Sequence, residues 1–243
     1  MPRSFRSVSL VLPTYNEKGN IGPLLEAVQR VFRDAGVNYQ VLVIDDDSRD
    51  GTRELVSAFC DKDPHIELHV RKGERGLASA VRAGIQRAKN EILILMDSDY
   101  NHDPMDLPRF FAKLDEGCDV VVGSRYVKGG FMESSVLRHY LSMAFNAFVC
   151  TTLGLKTRDN LSGFIAMRRD LLKELDLEKI FVGFGEFHIP LIFQLQKRGW
   201  RIAEIPVIYG ERQYGKSKFH PIRNIINYTK ITLKVRAQWG RLR

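Results

Sequence analysis

The chain is short of cysteine. Its 243 residues include three, Cys60, Cys118 and Cys150. They are widely separated, odd in number and set among apolar neighbours, which argues against a disulfide framework or a cysteine metal site. They read as core residues. Such usage fits a reducing compartment, so a cytoplasmic protein is expected. Long hydrophobic runs are also missing. The greasiest stretch, Leu141 to Leu155, is broken by Ser142, Asn146, Thr151, Thr152 and Gly154, and is too short and polar to cross a bilayer. No apolar segment follows Arg3 and Arg6 before the first polar turn, so no signal peptide is expected. Neither a P-loop nor a glycine-rich dinucleotide fingerprint occurs. Any bound nucleotide must be held by other means. Helix-turn-helix signatures, zinc spacings and aromatic RNA-binding motifs are absent, and no nucleic-acid partner is expected. Repeats, low-complexity tracts and clear linkers are absent as well.

What is present fits a globular α/β chain. Apolar content is 44% and charged content 27%, ordinary values for a soluble protein, and the length allows a substantial core. The formal net charge of +8 points to an anionic partner such as nucleotide phosphate or anionic lipid. Apolar runs at Val8–Leu12, Val41–Ile44, Ile66–Val70, Ile92–Met96, Val120–Gly123, Phe164–Met167 and Ile202–Ile205 read as strands. Helical spacing separates most of them, at Asn20–Phe32, Thr52–Phe59, Leu77–Ala88, Leu107–Leu114, Ser134–Gly154 and Ile189–Lys197. Strands alternating with helices predict βαβ units and a mostly parallel central sheet flanked by helices. The expected organisation is one domain, 1–220, followed by a basic amphipathic helix over 221–243.

The strand ends carry the chemistry. Ile92 to Met96 runs into Asp97-Ser98-Asp99, two carboxylates at the end of a buried strand, where open α/β sheets bind ligands. Carboxylates this close repel one another unless a cation lies between them. A divalent metal shared with a substrate phosphate is the economical reading, and a solvated acidic turn is the alternative. Pro13-Thr14-Tyr15-Asn16-Glu17 ends the first strand. Tyr15 can pack on a base and Glu17 can accept hydrogen bonds from a base or ribose, although Pro and Asn also suit a plain turn. In Asp45-Asp46-Asp47-Ser48-Arg49-Asp50-Gly51, Asp46 can receive polar hydrogens from a base and Asp50 is expected to cap the next helix. In Arg71-Lys72-Gly73-Glu74-Arg75-Gly76-Leu77, Arg71 and Lys72 suit a diphosphate, and Arg75 reads as solvated. Convergence of these loops is more specific than any one of them.

These segments, with Gly76-Leu77-Ala78-Ser79-Ala80, Gly123-Ser124-Arg125-Tyr126, Ser162-Gly163-Phe164 and Glu211-Arg212-Gln213-Tyr214-Gly215-Lys216-Ser217-Lys218, form an ordered set. The set resembles the family 2 glycosyltransferases, most closely the dolichol-phosphate (polyprenol-phosphate) mannosyltransferases, over about Val8 to Phe219. The resemblance implies a GT-A fold, inverting transfer of a hexose from a nucleotide sugar, Mg²⁺ or Mn²⁺, and a polyprenyl or dolichyl phosphate acceptor. It implies that Pro13, Tyr15, Glu17, Ile44 and Asp46 hold the nucleoside. Lys72, Asp97 and Ser98 complete the nucleotide-sugar site, and Asp97, Asp99 and Asn101 hold the metal. Arg125, Arg212, Ser217 and Lys218 would face the acceptor phosphate, with Asp99, Arg125 and Arg212 carrying the catalysis. The implied reaction is mannose transfer from GDP-mannose. The alternatives are UDP-glucose or another sugar donor, or a non-catalytic nucleotide-binding scaffold.

Elementary chemistry agrees on one point. A sugar hydroxyl acceptor needs a general base, whereas a phosphate monoester, with a second pKa of about 6, is already largely ionised. It needs cations to position it, and no catalytic base is assigned to any histidine. His102 is expected to be an exposed or supporting residue. For the lipid, the segment Ser134–Leu155 sets Leu137, Leu141, Phe145, Phe148 and Val149 beside Arg138 and His139. The C-terminal segment sets Ile222, Ile225, Ile226, Ile231, Leu233 and Val235 between Arg223, Lys230, Lys234, Arg236, Arg241 and Arg243, with Trp239. Basic amphipathic helices suit a membrane surface, though taken alone the segment slightly favours packing of the isoleucines onto the domain with the cations merely solvated. The protein is expected to rest on the cytoplasmic face of a membrane, by itself or through a membrane-anchoring partner protein.

Overall fold

Alternation along the strands sets the architecture, because successive side chains of a strand point to opposite faces. The computed structural model of the protein describes residues 7–133, 136–210, 214 and 221–240. The elements run β1 (Ser7–Thr14), α1 (Lys18–Asp34), β2 (Asn38–Asp45), α2 (Thr52–Cys60), β3 (Ile66–Val70), α3 (Leu77–Arg87), β4 (Ile92–Leu95), α4 (Leu107–Asp115) and β5 (Val120–Ser124). They continue with β6 (Phe131–Met132), α5 (Val136–Leu153), β7 (Ile165–Arg168), α6 (Leu177–Ile180), α7 (His188–Lys197), β8 (Ile202–Pro206), β9 (Ile208–Tyr209) and α8 (Pro221–Gly240). Short 3₁₀ turns occupy Pro104–Asp106 and Arg169–Glu174.

Seven strands form one sheet in the order β3-β2-β1-β4-β7-β5-β8. All run parallel except β7, which is antiparallel to both β4 and β5. One face carries Val8, Leu10, Leu12, Val41, Val43, Ile92 and Ile94, packed with Leu24, Leu25 and Val28 of α1, Val56 of α2 and Phe110 of α4. The other carries Val11, Leu42, Ile44, Leu93 and Leu95, packed with Ala80, Val81 and Ile85 of α3 and Leu191, Ile192 and Leu195 of α7. Each fully buried aliphatic side chain contributes about 1.5–3 kcal/mol of transfer free energy. Gly84 lets α3 lie close on the sheet, since a Cβ there would collide with Val11.

A third cluster joins α5, α7 and α8 through Val149, Leu153, Ile189, Phe193, Tyr228 and Val235. The face of α8 turned inward is therefore Asn224, Tyr228, Thr232 and Val235, all buried, while Ile225, Ile226 and Leu233 are about half exposed. The isoleucine packing weighed from the sequence does not hold for Ile225 and Ile226. Among the described residues no helix is long and apolar enough to cross a membrane. The two-residue strands β6 and β9 pair in parallel as a separate small sheet; elements so short carry no periodic signal in sequence.

Candidate active site

The carboxyl ends of β1, β2, β4 and β5 lie at one edge of the sheet, and β7, running the other way, begins there. Asn16 (φ 55°), Asp47 (φ 58°) and Tyr100 (φ 66°) are the non-glycine residues with left-handed backbone among those described, and each sits just beyond one of these ends. Such conformations cost energy and persist where surroundings impose them, commonly at functional sites.

The loops brace one another. Asp45, fully buried, accepts hydrogen bonds from Thr14 Oγ1 (3.0 Å), Ser48 N–H (2.8 Å) and Ser48 Oγ (2.6 Å). Thr52 Oγ1 accepts the N–H of Glu17 at 2.9 Å, and Asp50 accepts the N–H of Thr52 at the start of α2. Asp46 is paired inside the protein: Oδ1 accepts Arg71 Nε (2.8 Å) and Nη2 (2.5 Å), and Oδ2 accepts Gly76 N–H (2.8 Å). The Arg71 side chain is buried in this pairing. Arg75 extends instead over the Tyr15 ring, 4.6 Å from its centroid.

At the end of β4, Tyr209 Oη donates to Asp97 Oδ2 at 3.2 Å. Burial and the neighbouring Asp97 push the Tyr209 phenol well up, so it remains a donor. Asp99 accepts Asn101 N–H (3.2 Å) and Nδ2 (3.0 Å). Gly163 approaches so closely that a Cβ on it would lie 3.3 Å from both Asp97 oxygens. His102, expected to be exposed or supporting, is fully buried. Its Nδ1 accepts the Asp97 N–H at 3.0 Å, and it stacks on Phe164 at 4.9 Å. Burial pushes its pKa down to about 3, so it supports the acidic loop as a neutral ring.

Arg125, at the end of β5, is buried and held by Asp159. Nε donates to Oδ2 at 2.7 Å, Nη2 to Oδ1 at 2.8 Å, and the Arg125 backbone N–H to Oδ2 at 3.0 Å. The guanidinium lies 5.0 Å from the Tyr209 ring centroid. Arg125 thus reaches Asp97 through one aromatic ring.

One cavity of about 590 Å³ spans these groups. Pro13, Tyr15, Glu17, Asp46, Asp97, Ser98, Asp99, Asn101 and Arg125, all expected from the sequence, line it. Ile44 and Lys72 do not. The Ile44 side chain is fully buried in the core beside α3, and Lys72 stands exposed where the loop turns ahead of Gly73, which takes φ +77°. Arg75, read as solvated, is exposed as expected and also lines the cavity. Arg212, Ser217 and Lys218 lie outside the described residues. Arg75, Gly163, His188, Tyr209 and Arg138 also line the cavity. Of these, Gly163 had a signal in its Ser-Gly-Phe motif, Arg138 in the cationic helix and Arg75 in the loop after β3; His188 and Tyr209 had none. The lining also includes an apolar group, Leu137, Leu141 and Phe145 of α5 with Phe184, Ile225 and Tyr228.

A family model described as glycosyl transferase family 2 matches residues 9–176. The dolichol-phosphate mannosyltransferase of Pyrococcus furiosus is 32% identical over 215 residues, 87% of this chain and 58% of that protein, so the chain spans just over half the length of that relative. The undecaprenyl-phosphate mannosyltransferase of Micrococcus luteus is 33% identical over 97% of both chains. Among solved structures, glucosyl-3-phosphoglycerate synthase from Mycobacterium tuberculosis, in complex with Mn²⁺, UDP-glucose and phosphoglyceric acid, superposes with a TM-score of 0.69. It is 20% identical and covers 96% of this chain and 79% of its own. The shared architecture is the GT-A fold.

Proposed function

Because the chain belongs to glycosyl transferase family 2, we propose that it moves mannose from GDP-mannose to a polyprenyl phosphate, with inversion at the sugar. The observation that carries this reading is that one cavity is lined by acidic, nucleotide-suited residues, by an apolar group from α5 and α8, and by a buried arginine close to the Tyr126 and Tyr209 rings. An isoprenoid chain needs the apolar lining, and its phosphate needs a cation. The mannosyltransferase names of the two relatives support the same substrates.

In this reading Tyr15 and Arg75 flank the base, and Asp46 keeps an acceptor lone pair for it, since its two oxygens already take three donors. Asp97, Asp99 and Asn101 would hold Mg²⁺ or Mn²⁺. The donor set fits: two carboxylates and an amide oxygen suit a hard cation that completes its shell with phosphate oxygens and water. Gly163 leaves the Asp97 carboxylate uncrowded. When bound there, the metal would neutralise the departing diphosphate. Arg125, with Arg212, Ser217 and Lys218, orients the acceptor phosphate, which arrives ionised and needs no base. His102 cannot serve as one while its Nδ1 is engaged by Asp97.

Leu137, Tyr140, Leu141 and Phe148 of α5 and Ile225, Ile226 and Leu233 of α8 are exposed, three of them (Leu137, Leu141 and Ile225) also lining the cavity, and Arg138, Arg223, Lys230, Lys234 and Arg236 are exposed as well. Exposed apolar side chains together with exposed cations on two helices packed against each other suit the headgroup region of an anionic membrane, and we assign α5 and α8 to that surface. The domain limits 1–220 and 221–243 stay as proposed units of function, catalytic and membrane-facing. The test is a donor screen with labelled GDP- and UDP-sugars against a short polyprenyl phosphate. Transfer from GDP-mannose to lipid is the expected result; transfer from another donor reassigns the sugar, and no transfer with any donor sinks the enzymatic reading.

A further inference from the structure

Asp159 is fully buried and takes no part in the chemistry set out above. It follows α5 in a loop with no motif that marks it. Yet Arg125 directs three donors at it, its own backbone N–H, Nε and Nη2. The loop is gripped from both sides. Glu204 of β8 accepts the N–H groups of Arg158 (2.8 Å) and Asp159 (3.0 Å), one on each carboxylate oxygen. Asn146 of α5 accepts the N–H of Asn160 at 2.8 Å. The same helix holds the residue next to Arg125, since Tyr126 Oη donates to Ser142 Oγ at 2.7 Å.

A buried ion pair is weak evidence for stability, because desolvating both charges offsets most of their attraction. This one is arranged as a jig. Two parallel N–H···O bonds fix the plane of a guanidinium, which a single contact does not. Once Nε and Nη2 are engaged, Nη1 is the remaining end of the fork, and its partner is only a weak acceptor, Sδ of the wall residue Met132 at 3.8 Å. We infer that Asp159 is a positioning residue: it fixes the Arg125 fork so that Nη1 faces the acceptor phosphate, with its loop registered on the α5 helix that lines the lipid side. The inference rests on the reading of Arg125 as a phosphate ligand. Groups that orient substrate must be held within a fraction of an ångström by supporting hydrogen bonds, and misplacement by about 1 Å can cost on the order of 100-fold in rate.

The experiment measures KM and kcat for farnesyl phosphate with labelled GDP-mannose, and the thermal melt of each variant. Asp159→Glu keeps the buried charge balanced but pushes the guanidinium outward by a methylene. It is expected to raise the farnesyl phosphate KM on the order of 10- to 100-fold with the GDP-mannose KM unchanged. Combined with Arg125→Gln it should add nothing to that variant's defect, because Asp159 acts only through Arg125. A wild-type acceptor KM in Asp159→Glu, or a multiplicative defect in the double variant, overturns the inference. If Asp159→Glu melts below the assay temperature, Asp159→Asn replaces it. An Asp159 that merely balanced charge would, as Asn, leave Arg125 a freer cation and lower the acceptor KM, which also overturns positioning. Arg125→Gln separates the two levels. An unchanged acceptor KM there removes the phosphate-ligand reading itself, whereas a raised one beside a wild-type Asp159→Glu removes only the positioning role.

Discussion

Acid should unfold this protein earlier than its carboxylates alone would require, because two neutral histidines are buried next to the active site. His102 and His188 are 1% and 6% exposed. Burial pushes both down to about 3 from an ordinary value of 6.5. For His102, Arg125 adds to the effect while Asp99 and Asp159 oppose it. For His188, His102 and Arg125 add and Asp159 opposes. In the unfolded chain both rings bind a proton near pH 6.5; in the fold they refuse it until about pH 3. The unfolded state therefore binds more protons throughout that window, and stability rises with pH across it. At 1.36 kcal/mol per unit, the full loss is about 5 kcal/mol for each ring, complete only below pH 3. By pH 5 the loss is about 2 kcal/mol each, or about 4 together, a large share of the 5–15 kcal/mol typical of a domain. Asp63, whose carboxylate is held low by hydrogen bonds from Tyr39, His65 and Gln29, begins to lose its stabilisation only below its ordinary value of 3.8, so it adds nothing between pH 7.5 and 5.0. Guanidinium unfolding at pH 7.5 and 5.0, at constant ionic strength, measures the loss by linear extrapolation. His188→Leu should lose about 2 kcal/mol less than wild type between the two pH values. Parallel pH dependences for the two proteins, or NMR titration of either ring near 6.5, would refute the reasoning.

Three further outcomes are expected. Asp99→Ala should abolish sugar transfer and leave the melt near wild type, because Asp99 lies at the sheet edge outside the core clusters; chelation should do the same reversibly, and turnover in metal-free buffer would contradict the metal assignment. Gly163→Ala sets a methyl 3.3 Å from both Asp97 oxygens and should raise the metal concentration needed for half-maximal transfer by roughly tenfold, about 1.4 kcal/mol, while costing about 1–3 kcal/mol of stability as overpacking; an unaltered metal titration would show that the Asp97 side does not need this space. Ile225→Ser with Leu233→Ser should reduce co-sedimentation with anionic vesicles, and Lys230→Ala with Lys234→Ala should do so in proportion to about 1 kcal/mol per cation at low salt. Sedimentation equal to wild type in both would move the membrane contact away from α8. Point substitutions test this surface better than truncating α8 before Thr229, which would also remove the buried Thr232 and the third cluster's Val235.

Much of the protein is legible without coordinates. Runs such as Val8–Leu12 and Ile92–Met96, set between helical stretches, admit few arrangements other than a parallel sheet, and the rule that ligands meet the carboxyl ends of such strands then gathers Tyr15, Asp46, Asp97 and Asp99. These residues are local to the strand ends that carry them, and strand periodicity is a short-range property. Three features needed the tertiary structure. The antiparallel direction of β7 leaves no mark in an apolar run, yet it is what brings Gly163 against Asp97. Which cation of the loop from Arg71 to Gly76 reaches the cavity depends on backbone turns at Gly73 (φ 77°) and Gly76 (φ 142°), which bury Arg71 against Asp46 and extend Arg75 over Tyr15. Asp159 meets Arg125 across 34 residues of chain, and Tyr209 meets Asp97 across 112. Side-chain pairs at that separation are chosen by packing, and a single sequence holds no periodicity or spacing from which they follow.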